Sequence, residues 1–352
     1  MRKDAACLAA LCAALLFAPP AHAGTYDVHA CQPAGGGTIN QSWAVEPYNS
    51  SGGPAPDVGS FTAPATPQTC PASGGLALVT STSATKTVLS HDGAAWVFHA
   101  PAGNLVSQVV IWRTGQARWS SSAGNSPYWE VIARDGSSAG SSSQLGTSAT
   151  VDFCSGQTAS AWPSYCALAA SPAEGDRYTG INQPVVAWGV ECVGATQSTT
   201  CHTGEGTSAN AQINFLGATV TVEDDNPPVM AAGSPLDGWH RPQDALTATG
   251  ADGGGLRQMA ASIDGTTVAS ASYTCDFHLA APCPTAPQLA VPLAGLADGP
   301  HSLTVTGVDV ASNGGRSDRV VDVDGTPPTL DLVPTKGRRT ITFAVRDALS
   351  GV

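Results

Sequence analysis

Oxygen-bearing side chains gather at one point of this chain, in the run Thr219-Val-Thr-Val-Glu-Asp-Asp-Asn-Pro-Pro-Val229. Hard oxygen donors of this kind suit calcium, which takes about six to eight oxygen ligands. Asp224, Asp225 and Asn226 are the candidate metal ligands, with Glu223 beside them and Asp252, Asp309, Asp322 and Asp324 available near module ends. The competing reading needs no metal and no other cofactor, because Asp and Asn side chains cap turns by binding their own backbone. Asp309 and Asn313 fit such a turn clamp better than a ligand pair.

A second group of residues could recognise a ligand. Seven of the eight tryptophans precede the acidic run: Trp43, Trp96, Trp112, Trp119, Trp129, Trp162 and Trp188. An aromatic face offers a sugar ring apolar contact area, and an arginine beside it supplies fixed hydrogen bonds. Trp119, Trp129 and Trp162 lie near polar turns and are, with Arg113 and Arg118, the candidate ligand-binding residues. Trp96 shares strand parity with Phe98, and Trp188 lies in an apolar run, so both read as core.

Catalysis finds less support. Glycoside hydrolysis needs two carboxylates facing each other across a cleft. Glu130 and Asp135 fall on opposite strand parities with Arg134 between them, and Asp152, Glu174, Asp176 and Glu191 stand isolated. His29, His91, His99 and His202 have no recognisable Ser or Asp partner motif. The expectation is a non-catalytic protein with no catalytic residue assigned. The alternatives are an extracellular glycoside hydrolase or its carbohydrate-binding accessory region, with Trp119, Trp129 and Glu130 at a cleft, and a purely structural spacer.

The rest of the chain says where such residues would work. Residues 1–23 read as a signal peptide: Arg2 and Lys3, an apolar core from Cys7 to Phe17, and the small-residue site Ala21-His-Ala23. That apolar run is too short to anchor in a membrane, and no transmembrane segment follows it. The expected location is extracellular, free or at the cell surface, with a glycan or surface protein as partner. A formal net charge of −12, dispersed along the chain, leaves no basic patch for nucleic acid. Ten cysteines, two of them in the leader, leave an even set suited to an oxidising compartment. Their order favours the local pairs Cys31–Cys70, Cys154–Cys166, Cys192–Cys201 and Cys275–Cys283. Zinc is the lesser reading, because no doubled Cys-x-x-Cys spacing is present.

The elements that must position these residues are strands. Leu105–Arg113, Tyr128–Ile132, Val185–Val190, Ala211–Phe215 and Ala218–Val222 alternate or run apolar, and no long stretch keeps helical spacing. Many short strands over residues 24–222 imply a jelly-roll-like two-sheet sandwich. Residues 223–325 hold about seven more, the pattern of an immunoglobulin-like sandwich. Each Pro of Pro227-Pro228 removes a hydrogen-bond donor and extends the preceding residue, which makes a stiff joint. The pair returns as Pro327-Pro328, so residues 326–352 read as the opening of an incomplete second Ig-like repeat.

Asp309-Val-Ala-Ser-Asn313, followed by a strand and Asp324-Gly-Thr-Pro-Pro328, resembles bacterial Ig-like repeats that carry V-D-x-A-G-N and V-D-x-T-P-P patterns. Gly238-Trp-His-Arg241 is similar to the same group, which includes tandem modules of large secreted actinobacterial surface proteins. The resemblance covers residues 223–352. Residues 24–222 more weakly resemble the concanavalin-like jelly-roll domains found in front of such repeats. Adhesion, carbohydrate binding or surface spacing is what the resemblance implies. The absence of a paired acidic motif departs from the jelly-roll hydrolases.

Overall fold

The computed structural model describes residues 24–31, 39–51, 56, 58–62, 76–83, 85–120, 127–137, 143–144, 153–156, 165–168, 171, 173–206, 208–234, 238–333 and 342–350. The expected leader, Cys70 and Trp162 lie outside them. The described residues form 25 strands, numbered here in chain order, and one short 3-10 turn, Val58–Ser60. Among them no helix is long and apolar enough to cross a membrane.

Two sheets face each other in the first part of the chain. One follows the order β11 (Cys166–Leu168), β7 (Leu105–Ala117), β15 (Ala211–Asp224), β4 (Leu76–Thr80) and β3 (Phe61–Thr62). In the same sheet β12 (Asp176–Gln183) also pairs with β7, and β1 (Gly24–Ala30) with β15. The other sheet follows β10 (Phe153–Ser155), β8 (Tyr128–Gly136), β13 (Val185–Val193), β6 (Asp92–His99) and β2 (Trp43–Asn49). Strand β9 (Ser143–Gln144) pairs with β8, and β5 (Thr87–Leu89) with β14 (Thr200–His202). Pro47 sits in β2 at the end of its sheet's path, where a missing donor is tolerated.

The sequence reads β15 as two strands, because its alternation changes phase near Gly217. The structure runs through. Ala211, Ile213 and Phe215 are buried; the register against β7 then shifts between Phe215 and Gly217, after which Ala218, Val220, Val222 and Asp224 are buried. A bulge inserts one residue and switches the parity that faces inward. This switch carries the buried row on to Asp224, the last residue of the strand.

Aromatic rings fill the space between the sheets. Trp43 lies 5.1 Å from Phe215 and 5.7 Å from Trp188 by ring centroid, and Trp96 lies 5.8 Å from Phe215. Such pairs contribute about 0.5–1.5 kcal/mol each beyond the area they bury. Trp96 and Trp188 are fully buried, as expected for core residues.

A second pair of sheets follows. Strands β16 (Val229–Ser234), β18 (Ala245–Ala251) and β21 (Gln288–Pro292) form one. Strands β17 (Trp239–His240), β23 (Gly314–Val323), β22 (Gly299–Asp309), β19 (Leu256–Ile263) and β20 (Thr266–Ser272) form the other, with β17 parallel to β23. Leu246, Leu256, Met259, Ile263, Leu293, Leu303 and Val305 belong to the core between them. Pro292 lies in β21, at the end of its sheet's path, where a missing donor is tolerated. Strands β24 (Thr329–Val333) and β25 (Thr342–Arg346) make a separate two-stranded ribbon. Its Leu330, Leu332, Phe343 and Val345 are exposed.

Three of the four expected disulfides are formed: Cys154–Cys166, Cys192–Cys201 and Cys275–Cys283. Cys31 is disulfide-bonded as well. Cys154 and Cys166 tie β10 to β11, one strand from each facing sheet. The Cys275–Cys283 loop reaches back to the first sandwich. Phe277 O accepts from His29 N at 2.8 Å, and Ala280 O accepts from Tyr26 Oη at 3.1 Å. Cys283, Val310 and Ala311 join the apolar core of the first sandwich.

Candidate metal centre

Three carboxylates converge where the two sandwiches meet. Asp224 arrives by the parity switch in β15. Asp252 follows β18 in the turn Asp252-Gly-Gly-Gly255, where its Oδ1 accepts from Gly255 N at 2.8 Å. Glycine is required there by close approach: a Cβ on Gly253 would lie 2.6 Å from Ala102 O, and one on Gly255 would lie 2.1 Å from Cys283 O. Asp309 ends β22 and is held by Asn313, whose backbone N donates to Oδ1 at 2.7 Å and whose Nδ2 donates to Oδ2 at 2.8 Å. The expected turn clamp is therefore formed, and its carboxylate also faces the joint.

One carboxylate oxygen from each of Asp224, Asp252 and Asp309 lies within 4.8 Å of the other two. Asp224 and Asp309 are buried and Asp252 is half-buried. Asn104 Nδ2 donates to Asp224 Oδ2 at 3.0 Å, Asn226 N donates to Asp224 Oδ1 at 3.1 Å, and Asn313 Nδ2 donates to Asp224 O at 2.8 Å. Among the described residues, no ion pair involves any of the three aspartates. Burial, then the Asp224 charge, pushes Asp252 up to about 6. Burial also raises Asp309, against the hydrogen bonds from Asn313. Buried like charges this close disfavour joint ionisation. A divalent cation bound by oxygen relieves that cost, and the triad is compatible with one.

Of Asp224, Asp225 and Asn226, only Asp224 belongs to this triad; Asp252 and Asp309, two of the four carboxylates expected near module ends, complete it. Asp225 is exposed, and Asn226 turns its Nδ2 to Gly103 O at 3.2 Å. The strand that buries Asp224 ends there, so its neighbours leave the buried row. Asp322 and Asp324 lie at the far end of the second sandwich.

Among the described residues, the members of the expected aromatic site do not share one surface; Trp162 lies outside them. Trp129 is fully buried and donates its Nε1 hydrogen to His202 O at 2.7 Å. Trp119 is half-buried, 5.8 Å from the Tyr128 ring and edge-on to it. Arg113 is buried and pairs with Asp176 at 3.1 Å. Arg118 is buried too, its Nε donating to Asn210 Oδ1 at 2.8 Å and its guanidinium 4.6 Å from the Tyr165 ring centre. Both arginines already serve the protein's own groups.

Sequence reasoning missed one carboxylate pair. Glu191 of β13 lies directly opposite Glu130 of β8, on the face of the six-stranded sheet turned away from Trp129 and Trp188. Both are buried. Glu191 pairs with Arg134 and accepts from Ser50 Oγ at 2.6 Å and Tyr48 Oη at 3.3 Å. Burial, then the Glu191 charge, raises Glu130 to about 7. A carboxyl group with a raised pKa beside a second carboxyl group is an arrangement that glycoside chemistry uses. The run Gly136-Ser-Ser-Ala-Gly140 also has the spacing of a nucleophile elbow. That motif needs a strand-to-helix turn, and residues 138–142 lie outside the described residues.

No protein-family model matches the chain, and no curated protein matches it in sequence. Among solved structures it is similar to dimeric latent PorU from Porphyromonas gingivalis, at 13% identity and a TM-score of 0.23 over 73% of this chain and 24% of that one. It is also similar to a polysaccharide lyase, at 7% identity and a TM-score of 0.19 over 84% of this chain and 41% of that one. The chain thus spans less than half the length of either protein. Similarity at this level bears on neither fold nor activity.

Proposed function

We propose that this is an exported, non-catalytic, modular β protein that acts at a surface outside the cell. The jelly-roll-like sandwich, whose last strand runs on to Asp224 past the expected boundary at residue 222, recognises a glycan or a surface protein. The Ig-like module that follows it, to residue 325, and the repeat that opens at residue 326 act as spacers. A calcium ion held by Asp224, Asp252 and Asp309 fixes the first joint.

The meeting of Asp224, Asp252 and Asp309 within 4.8 Å carries this reading. A spacer works by holding its binding unit at a set distance and angle, and a metal shared between modules does that. The donors are all oxygen, with no thiolate or imidazole, which favours a hard cation over zinc or copper. Calcium accepts irregular oxygen cages, whereas magnesium demands near-ideal octahedral geometry.

The test is thermal unfolding of the full chain in calcium and in EDTA. Calcium at about one hundred times its dissociation constant stabilises by about 2.7 kcal/mol, and Asp309→Asn should remove that gain. Unfolding indifferent to calcium in the wild-type chain would sink the calcium joint. Glycan-array binding by the full chain, lost in Trp119→Ala, tests the recognition role separately.

A hydrolase is the second reading, on the strength of Glu130 opposite Glu191. Against it, Arg134, Tyr48 and Ser50 already engage Glu191, as a structural charge network requires. Hydrolysis of a polysaccharide by the wild-type chain but not by Glu130→Gln would favour the enzyme.

A further inference from the structure

The loop closed by Cys275 and Cys283 has little packing of its own. It belongs to the connection between β20 and β21, and of the seven residues between the two cysteines only Pro282 is buried. Backbone bonds inside it run from Asp276 N to Pro282 O at 2.8 Å and from Leu279 N to Asp276 O at 3.0 Å. The crosslink therefore does here what a core does elsewhere. It removes the open conformations that a short, exposed loop otherwise populates.

The same loop holds a different partner on each side. Toward the first sandwich, Phe277 O accepts from His29 N at 2.8 Å and Ala280 O from Tyr26 Oη at 3.1 Å. Toward the second, Cys283 N donates to Gly254 O at 3.2 Å. Pro284 O accepts from Leu256 N at 3.0 Å, and Thr285 O from Asp252 N at 3.1 Å. These last three bonds support the turn that carries Asp252. Cys283 is only 4% exposed and packs in the apolar core of the first sandwich. A loop that loses its shape thus gives up its hold on β1 and on the Asp252 turn together.

We propose that the Cys275–Cys283 disulfide is a redox latch: the two sandwiches lock against each other only once it has formed. The step is thiol–disulfide exchange with a disulfide oxidant. The thiolate of Cys275, the half-buried member, attacks one sulfur of the oxidant and displaces the other. The thiolate of Cys283 then attacks Cys275 Sγ, and the oxidant leaves as a dithiol with the two electrons and two protons. A dithiol reductant runs the same path backward. Disulfide oxidants belong to oxidising compartments outside the cytosol. Export, as proposed above, supplies that setting, while the latch itself needs no calcium.

The experiment is hydrogen exchange of the full chain, read amide by amide by NMR in EDTA, so that calcium has no part in the outcome. The variant is Cys275→Ala with Cys283→Ala. The His29 amide, which bonds across the joint, should exchange at least about tenfold faster than in the wild type. Val109 in β7 and Val305 in β22 are paired on both sides and should keep their protection. In the wild type under a graded dithiol, alkylation and mass spectrometry report which cysteines are free. His29 protection should fall as Cys275 and Cys283 become free, and should return on reoxidation. Unchanged His29 protection with this bridge open would overturn the latch. So would loss of protection at Val305 along with His29, because the bridge would then be a staple of the whole second sandwich. Protection that fails to return on reoxidation would equally overturn a switch.

Discussion

Asn313 donates its side-chain amide to the backbone carbonyl of Asp224 across 2.8 Å, and so ties the second sandwich to the last residue of the first. The same nitrogen reaches Asp309 Oδ2 at 2.8 Å. One amide therefore fixes the strand end that carries one carboxylate of the triad and the orientation of another. The joint and the candidate metal centre are one construction.

Asn313→Ala should therefore loosen both. It leaves the Asp224 carbonyl and Asp309 Oδ2 without their donor, at a cost of about 1–3 kcal/mol in metal-free protein. Calcium affinity should fall by about tenfold, because the Asp309 carboxylate is no longer held toward the joint. Urea unfolding in EDTA and calorimetric calcium titration measure the two effects. Equal losses of stability with and without calcium would assign Asn313 to the fold alone.

The pH dependence of the first sandwich should carry the mark of Glu130. Burial and the Glu191 charge raise it to about 7, so the folded protein holds its proton more tightly than the unfolded chain. Stability from this source is complete below the usual glutamate range, about 4.3. It is lost as pH rises through about 7. Glu130→Gln should flatten the unfolding free energy between about pH 5 and 8, gaining roughly 2 kcal/mol at the upper end. An unchanged slope would mean that Glu130 ionises freely in the folded state.

Substitution of Glu191 should destabilise where that of Glu130 stabilises. Its carboxylate is the ion-pair partner of buried Arg134 and accepts from Tyr48 and Ser50. Glu191→Gln breaks a buried pair on one side, which costs about 3–5 kcal/mol. The same measurement as for Glu130→Gln therefore separates two glutamates that face each other on adjacent strands. If both substitutions stabilise at pH 8, the pair is mere repulsion and Arg134 draws nothing from it.

What the sequence disclosed depended on distance along the chain. Alternation identified the strands around Trp96, Trp188 and Ile213, because strand parity is local. The order of the cysteines, equally local, placed the pairs seen at Cys154, Cys192 and Cys275. Asp224 stood out within an acidic run, but its inward direction depends on the bulge near Gly217, where alternation only breaks. Asp252 and Asp309 join it through tertiary packing that no periodicity records. Glu191 read as isolated for the same reason: its neighbour Glu130 lies across a strand pair. Trp129 sits near a polar turn, and that outweighed its parity with buried Val131 and Ala133.

The closeness of the joint can be tested without touching a carboxylate. A Cβ on Gly254 would lie 2.7 Å from Val310 Cγ1 and 3.2 Å from the Tyr26 ring. The first distance is too short for any side chain to accept in place. Val310 and Tyr26 are both buried, so the relief open to Gly254→Ala is for the Asp252–Gly255 turn to draw back. Asp252 would then leave the other two aspartates, while the strands of each sandwich keep their pairing. Overpacking of this kind costs about 1–3 kcal/mol, and calcium affinity should fall by at least about tenfold. Gly314→Ala is the matched control, since a Cβ there meets nothing within 4 Å. It should leave calcium binding as it was. If both variants bind calcium like the wild type, the joint does not need the close approach of Gly254, and the metal centre must tolerate a looser one.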